Sequence, residues 1–380
     1  MQMRGLIFGF QFSVRKPLLL KTENRKLKTL STVLPGGPMK TTLLIILLTH
    51  QGYWLGGHDE AISVQWAVDQ KIPPANLQWE VMFDHVRLAG DQIKMPGHDS
   101  AVIKLQIPPV RVRTQMQWVY RVTAVDGGQE LASGQQLLNV FPPISLDSTA
   151  PRMLAKKIFV ADDPDGLPSV LAAAKIHITR IGDVDQLQLA QADLILVAAN
   201  QLTNSPFAQY RLIEQAKAGA QVLILQQTKL VSLCGYALAR RSVPPRLAWR
   251  EEHPLFAFLD ENDLQSWIEG ASADLWAMLL PADAPVLELA YWPREIPGKD
   301  PAPIDALVAV QAVGKGRIVF CQLPLGSWND DPRSRIFLVN ALNYMLTRPE
   351  PIPPPSQRCI TLPAKVVPVP TIKIPPGETP

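Results

Sequence analysis

The sequence predicts a multidomain chain, an antiparallel β-sandwich followed by an α/β domain whose sheet is mostly parallel and doubly wound, flavodoxin-like in type. Three observations predict it. Residues 60–145 alternate apolar and polar side chains with a period of two. Beyond residue 156, short continuous apolar runs alternate with helical stretches. Between the two lies Phe141-Pro142-Pro143 through Ala150-Pro151, a linker by composition.

The sandwich, residues 59–145, is immunoglobulin-like in its pattern. In Leu77-Gln78-Trp79-Glu80-Val81-Met82-Phe83-Asp84 the odd positions are apolar. Ile103, Leu105 and Ile107 alternate with Lys104 and Gln106, and Trp118, Tyr120, Val122 and Ala124 form another period-two face. Asp126-Gly127-Gly128 closes that run as a turn. Short alternating strands ended by Pro or Gly make a sandwich, with inward residues as core.

After the linker, 146–155, the α/β domain is expected over 156–348. Lys157-Ile158-Phe159-Val160-Ala161 is a buried strand, followed by Asp162-Asp163-Pro164-Asp165-Gly166 and a helix over Leu167 to Ala174. Asp193 to Ala198 is a second strand, and Pro206 opens a helix that Gly219 ends. Val222-Leu223-Ile224-Leu225 is a third strand, stopping at Gln226-Gln227-Thr228. Gly314-Lys315-Gly316 joins two apolar runs as a hairpin, and Arg333 to Leu346 is the closing helix. The proline-rich tail, 349–380, is expected to be extended.

The N-terminal extension, 1–58, carries eight basic residues in its first 40 against the single acid Glu23, which suits a solvated or targeting-type segment. The run Met39 to Leu48 fits a buried strand. Were Met39 the true start, it would instead resemble the front of a secretory signal and imply export; otherwise the cytoplasm is the expected compartment. No run of about 18 apolar residues exists for a membrane-spanning helix.

Composition narrows the chemistry. A net charge of +3 over 380 residues is too small to argue for a nucleic-acid partner. The cysteines, Cys234, Cys321 and Cys359, offer neither a disulfide framework nor zinc spacing, and no pair of the six histidines has metal spacing. No cofactor motif is present: Gly314-Lys315-Gly316 lacks the frame of a phosphate loop.

The strand ending at Leu225 stands where many α/β enzymes carry a nucleophile. An elbow needs Ser or Cys on a sharp turn, flanked by glycines. Gln226 and Gln227 are unreactive amides there, Thr228 has no neighbouring base, and Cys234 falls six residues on, inside an expected helix. The remaining ligand-edge candidates are Asp162, Asp163 and Asp165, at the carboxyl end of the first strand where open sheets bind ligands, together with Gln226, Gln227 and His253. The bland alternatives are turn and capping chemistry for the aspartates and a docked loop for His253-Pro254-Leu255-Phe256. Nine tryptophans could supply a sugar platform, but Trp79 and Trp118 fall on inward positions.

The run Trp118-Val119-Tyr120-Arg121-Val122 with Leu131-Ala132-Ser133-Gly134 and Asn139-Val140-Phe141-Pro142 resembles accessory sandwich repeats of glycoside hydrolase family 2 proteins. Val222 to Gln227, His253-Pro254-Leu255-Phe256, Asp263-Leu264 with Trp267, Gly314 to Leu323 and Asn340 to Leu346 are similar to the class I glutamine-amidotransferase-like domain attached to some bacterial members. Working amidotransferases carry Cys at the elbow and a His/Glu pair near the domain's end; this chain has Gln226-Gln227 and no histidine after His253. The glycosidase barrel, about 250 residues, has no room here. The resemblance implies a non-catalytic accessory or interaction module partnered by a glycosidase catalytic domain or subunit, or by carbohydrate. A hydrolase working through Asp162–Asp165 and a homo-oligomerisation domain are the alternatives.

Overall fold

In the computed structural model the described residues are 52–347, without 58, 69–73, 96–99, 126–127, 144–145, 147–148, 162–165, 189–190, 204, 243–246, 271–274, 282, 294–302, 326–327 and 329–330. Phe8–Phe12, Leu43–Leu48 and Asp59–Val68 are described as backbone. The chain divides into two units, Met1–Pro151 with Gly326–Asn340, and Arg152–Leu325 with Ala341–Pro380. It is β-rich, with few helices.

The first unit holds β1 (Phe8–Phe12), β2 (Leu43–Leu48), β3 (Tyr53–Leu55), β4 (Asp59–Val68), β5 (Ala75–Phe83), β6 (Val86–Met95), β7 (Ser100–Gln106), β8 (Thr114–Ala124) and β9 (Glu130–Phe141). They form a four-stranded sheet, β1-β2-β4-β7, and a five-stranded sheet, β3-β9-β8-β5-β6. The period-two pattern fixes which side chains go in. Leu77, Trp79 and Val81 of β5, Ile103 and Leu105 of β7, and Trp118, Tyr120 and Val122 of β8 are buried in one cluster. Slipping any strand by one residue would turn that whole set outward. Phe83, which continues the alternation in sequence, is 44% exposed, because β5 ends there in the Asp84–His85 turn with positive φ at both residues. Ala124 donates to the Gln129 carbonyl at 2.8 Å, closing the turn that Gly128 (φ +68°) permits.

The second unit follows α1 (Ala150–Met153) with β10 (Ile158–Ala161), α2 (Leu167–Ala173), β11 (Thr179–Ile181), β12 (Leu194–Val197), α3 (Pro206–Ala218) and β13 (Gln221–Ile224). Then come β14 (Ser232–Leu233), β15 (Tyr236–Arg240), β16 (Ala248–Trp249), α4 (Glu261–Gly270), β17 (Trp276–Leu280), β18 (Leu287–Pro293), β19 (Ile304–Val313) and β20 (Gly316–Cys321); α5 (Pro332–Met345) begins among the first unit's residues and belongs to the second from Ala341 on. All eleven strands join one sheet, whose main path is β11-β10-β12-β13-β20-β19-β17-β15-β14.

Neither half of the predicted fold class forms as stated. The five-stranded sheet contains a parallel pair, β3 with β9, so the first unit is not a purely antiparallel sandwich. The eleven-stranded sheet is not mostly parallel or flavodoxin-like either. Only β11, β10, β12, β13 and β20 form a parallel set, with β20 antiparallel to β19 on its other side, and the other six strands join antiparallel. Connections set the limit. Parallel neighbours need a crossover, which α2 and α3 supply; beyond β13 hairpins such as β14–β15 and β19–β20 can make only antiparallel pairs. Cys234 is corrected with them. It lies in the two-residue hairpin turn between β14 and β15, with φ +48° beside Gly235 at +93°, and not in a helix.

The expected Gly314–Lys315 hairpin is present between β19 and β20. It sits tight against the end of α3: Gly219 (φ +125°) caps that helix by donating to Gln215 and Ala216, and Lys315 N–H reaches the Lys217 carbonyl at 3.3 Å. A Cβ on Gly316 would fall on the carbonyl oxygens of Ala216 and Ala220, which backbone cannot yield. Gly316→Ala is therefore expected to lower stability in urea unfolding by about 2 kcal/mol or more. Gly182→Ala, which meets only the mobile end of Gln186 at 3.8 Å, should stay within about 0.5 kcal/mol of the parent.

Candidate functional site

The carboxyl ends of β12, β13 and β20 lie side by side, in register Val197↔Ile224 and Ile224↔Phe320. Toward these ends the strands are apolar (Leu194–Val197, Val222–Ile224 and Ile318–Cys321), and a polar residue follows each within three positions: Asn200, Gln227 and Gln322. Gln227 is 1% exposed. Its Nε2 donates to the carbonyls of Ala198 (2.9 Å) and Leu225 (2.7 Å), and its Oε1 accepts from Leu202 N–H at 3.1 Å. Its own backbone N–H donates to Gln322 Oε1 at 3.1 Å. One amide side chain thus satisfies backbone groups just past β12 and β13, and the Gln322 side chain ties the same loop to the end of β20.

Asn200, held at φ +60°, supplies the neighbouring tie. Its N–H donates to the Gln226 carbonyl at 2.9 Å, and its Oδ1 accepts from both Thr228 N–H (2.7 Å) and Thr228 Oγ1 (2.8 Å). The Thr228 hydroxyl is committed to an amide, which cannot take its proton. Of the predicted edge residues, then, Gln227 is an internal clamp and Gln226 a half-buried neighbour on the same loop. Asp162, Asp163 and Asp165 lie outside the described residues.

His253 does not join them, which corrects its place among the edge candidates. It caps a 3-10 turn, Pro254–Phe256, through Nδ1, which accepts from Leu255 N–H at 3.3 Å. Its ring meets that of Tyr344 edge-on, centroids 4.8 Å apart. Arg317, the second residue of β20, lies over the same Tyr344 ring at 4.3 Å. Arg317 pairs across the sheet with Gln221, the first residue of β13, so this cluster belongs to the amino end of the strands, opposite Gln227. Burial, then the Arg250 and Arg317 guanidinium groups, pushes the imidazole down to about 4. Leu255 and Phe256 are buried, so the docked-loop reading of the motif holds. Asp263-Leu264 has a capping role as well: Asp260 and Asp263 exchange side-chain-to-backbone bonds at 2.9 and 3.0 Å at the start of α4.

Burial pushes both described thiols up to about 12; Cys321 is wholly enclosed, whereas Cys234 is half-buried in its hairpin turn. Among the described residues, no three His, Cys, Asp or Glu side chains gather to hold a metal ion. No helix of the described residues is long and apolar enough to cross a membrane. Trp79 and Trp118, the inward-facing tryptophans of the sequence pattern, are buried, at 4% and 1% exposure. Asn200, Gln322 and Arg317 were given no individual role by sequence. The signal was present as a polar residue just past or just inside an apolar strand, where no surface requires it.

No family model and no curated protein matches the chain. Among solved structures it is similar to a family 76 glycoside hydrolase from a bovine Bacteroides thetaiotaomicron strain, at 13% identity and TM-score 0.19, covering 26% of this chain and 22% of that one. A CARDB domain from Pyrococcus furiosus, in complex with di-metal ions, matches at 9% identity and TM-score 0.19, over 24% of this chain and 86% of that one. The apo structure of Bacteroides uniformis β-glucuronidase 3 matches at 13% identity and TM-score 0.17, over 48% and 22%. The chain spans 22% of the length of each glycoside hydrolase. Likeness at these scores carries no argument about fold or activity.

Two outcomes follow from the clamp and the thiols. Gln227→Leu keeps the volume but strands Leu202 N–H and the Ala198 carbonyl; urea unfolding should show a loss of about 2–4 kcal/mol. Iodoacetamide at pH 7.5 followed by peptide mapping should leave the enclosed Cys321 unlabelled in the native protein and label it in urea.

Proposed function

We propose that the chain is a non-catalytic accessory or interaction module of a carbohydrate-processing protein of the glycoside hydrolase type. The observation that carries the non-catalytic part is Gln227. The position where an elbow nucleophile would project holds a buried amide whose oxygen and both hydrogens are already bonded to backbone. Such a group has no proton to give up at accessible pH and no free lone pair facing solvent. The Thr228 hydroxyl beside it donates to Asn200 and lacks a base.

The link to carbohydrate processing is supported by the sequence resemblance, through Trp118 to Pro142 for the accessory repeat and Val222 to Gln227 with Gly314 to Leu323 for the attached domain. The partner on this reading is a glycosidase catalytic domain or subunit. It would supply the paired carboxylates that glycoside cleavage needs about 5–10 Å apart.

The test is an assay of the purified full chain on nitrophenyl glycosides and on glutamine. The proposal expects no turnover above buffer on either. Turnover that disappears in Asp163→Asn would overturn it in favour of a hydrolase at the β10 edge, and glutamine hydrolysis lost with Cys234→Ser would overturn it in favour of an amidotransferase.

A further inference from the structure

We propose that His253, Tyr344 and Arg317 form an acid-sensitive latch that holds the end of α5 on the amino edge of the eleven-stranded sheet at neutral pH and lets it open on acidification. The inference is independent of the accessory-module reading. It starts from the hydrogen bonds. His253 Nδ1 accepts from Leu255 N–H, so in the neutral ring the proton sits on Nε2. A second proton can be added only at Nδ1. That addition turns an acceptor into a donor facing the Leu255 N–H, and the cap of the Pro254–Phe256 turn is lost with it.

The charge arrives where none is welcome. Nε2 is buried and has no hydrogen-bond partner among the described residues. The groups acting on the ring are cationic: Arg250 from the preceding segment and Arg317 from β20. The three carboxylates of these segments give no relief. Glu288 of β18 is engaged by Arg250, whose Nε bonds the Glu288 carbonyl at 2.8 Å and whose Nη2 lies 3.7 Å from its carboxylate, and Glu251 and Glu252 are exposed. Tyr344, on α5, presents its ring to both the imidazole and the Arg317 guanidinium.

The same residues fasten the helix end. Arg317 is 1% exposed, and its Nη2 donates to the Thr347 carbonyl at 2.8 Å. Its Nε and Nη1 have no hydrogen-bond partner among the described residues, so the Tyr344 face, at 4.3 Å, is a principal compensation for burying the charge. Thr347 Oγ1 in turn bonds the Tyr344 carbonyl at 2.6 Å. An imidazolium against Tyr344 would add a cation to a pocket whose existing guanidinium is already short of acceptors. Opening the turn and the last residues of α5 hydrates both charges. The sign is fixed by the depressed histidine. Its contribution to local stability is fully present above about pH 6.5 and is lost as pH falls toward about 4.

Hydrogen exchange of the full chain, with intrinsic rates corrected for pH, reads the latch directly. Protection of amides 253–256 and 341–347 should fall at least tenfold from pH 7 to pH 4.5, while β12 and β13 keep theirs. His253→Asn retains a capping oxygen in place of Nδ1 and cannot be protonated there, so its protection at 341–347 should not change with pH. If that variant fails to fold, an NMR titration of His253 in the parent decides. Titration well below 6.5 in step with the loss of protection supports the latch. Protection at 341–347 that ignores pH, equal pH sensitivity in His253→Asn, or a His253 titrating near 6.5 overturns it.

Discussion

The eleven-stranded sheet depends on what happens at the carboxyl ends of β12, β13 and β20. Parallel strands finish with open carbonyls and N–H groups pointing along the chain, and here the chain turns away without burying them under another strand. Gln227 resolves this with a single side chain that donates to Ala198 and Leu225 and accepts from Leu202, while Gln322 takes its backbone N–H. The amide is fully spent on that task. A buried donor or acceptor left alone costs about 1–3 kcal/mol, so several at once would weigh heavily against the few kcal/mol that hold a domain folded.

That constraint sets the chemistry of the edge. A nucleophile needs a free, activatable atom standing clear of the backbone, and a clamp needs every polar atom occupied; Gln227 cannot be both. The opposite end of the sheet is built the other way. Arg317 is buried with two nitrogens lacking hydrogen-bond partners among the described residues, and His253 has a buried Nε2 in the same condition. At the carboxyl end every polar atom of the Gln227 side chain is bonded and Gln322 Nε2 lacks a partner among the described residues; at the amino end the buried groups without partners belong to Arg317, His253 and Gln221. Under-satisfied, buried, cationic groups are where a small change in protonation has the largest structural effect.

Much of the local structure was legible in the sequence because its signals are short-range. The alternation through Leu77, Trp79 and Val81 and through Trp118, Tyr120 and Val122 gave strands and their inward faces, since register follows from period alone. Pro206 and Gly219 bounded α3, and Gly314–Lys315 gave its hairpin. Beyond that hairpin, strand direction was not legible: the short strands β14, β15 and β16 carry too few residues to show a period. Cys234 was misplaced for the same reason: a non-glycine residue at positive φ before Gly235 is a turn that apolar neighbours disguise as helix. At the site, the amides that end the third apolar run could be read from Gln226-Gln227-Thr228, but the clamp could not, because Ala198, Leu202 and Gln322 are distant in sequence from Gln227.

The central claim, that Gln227 clamps the strand crest into one hydrogen-bonded structure, is met most directly by native-state exchange of the Leu202 and Gln227 amides. Both bond to amide side chains and to no strand partner. The account predicts that they exchange as slowly as the β12 and β13 amides, through near-global opening. Exchange of either at the rate of an exposed loop would mean that the crest opens on its own, and would contradict it.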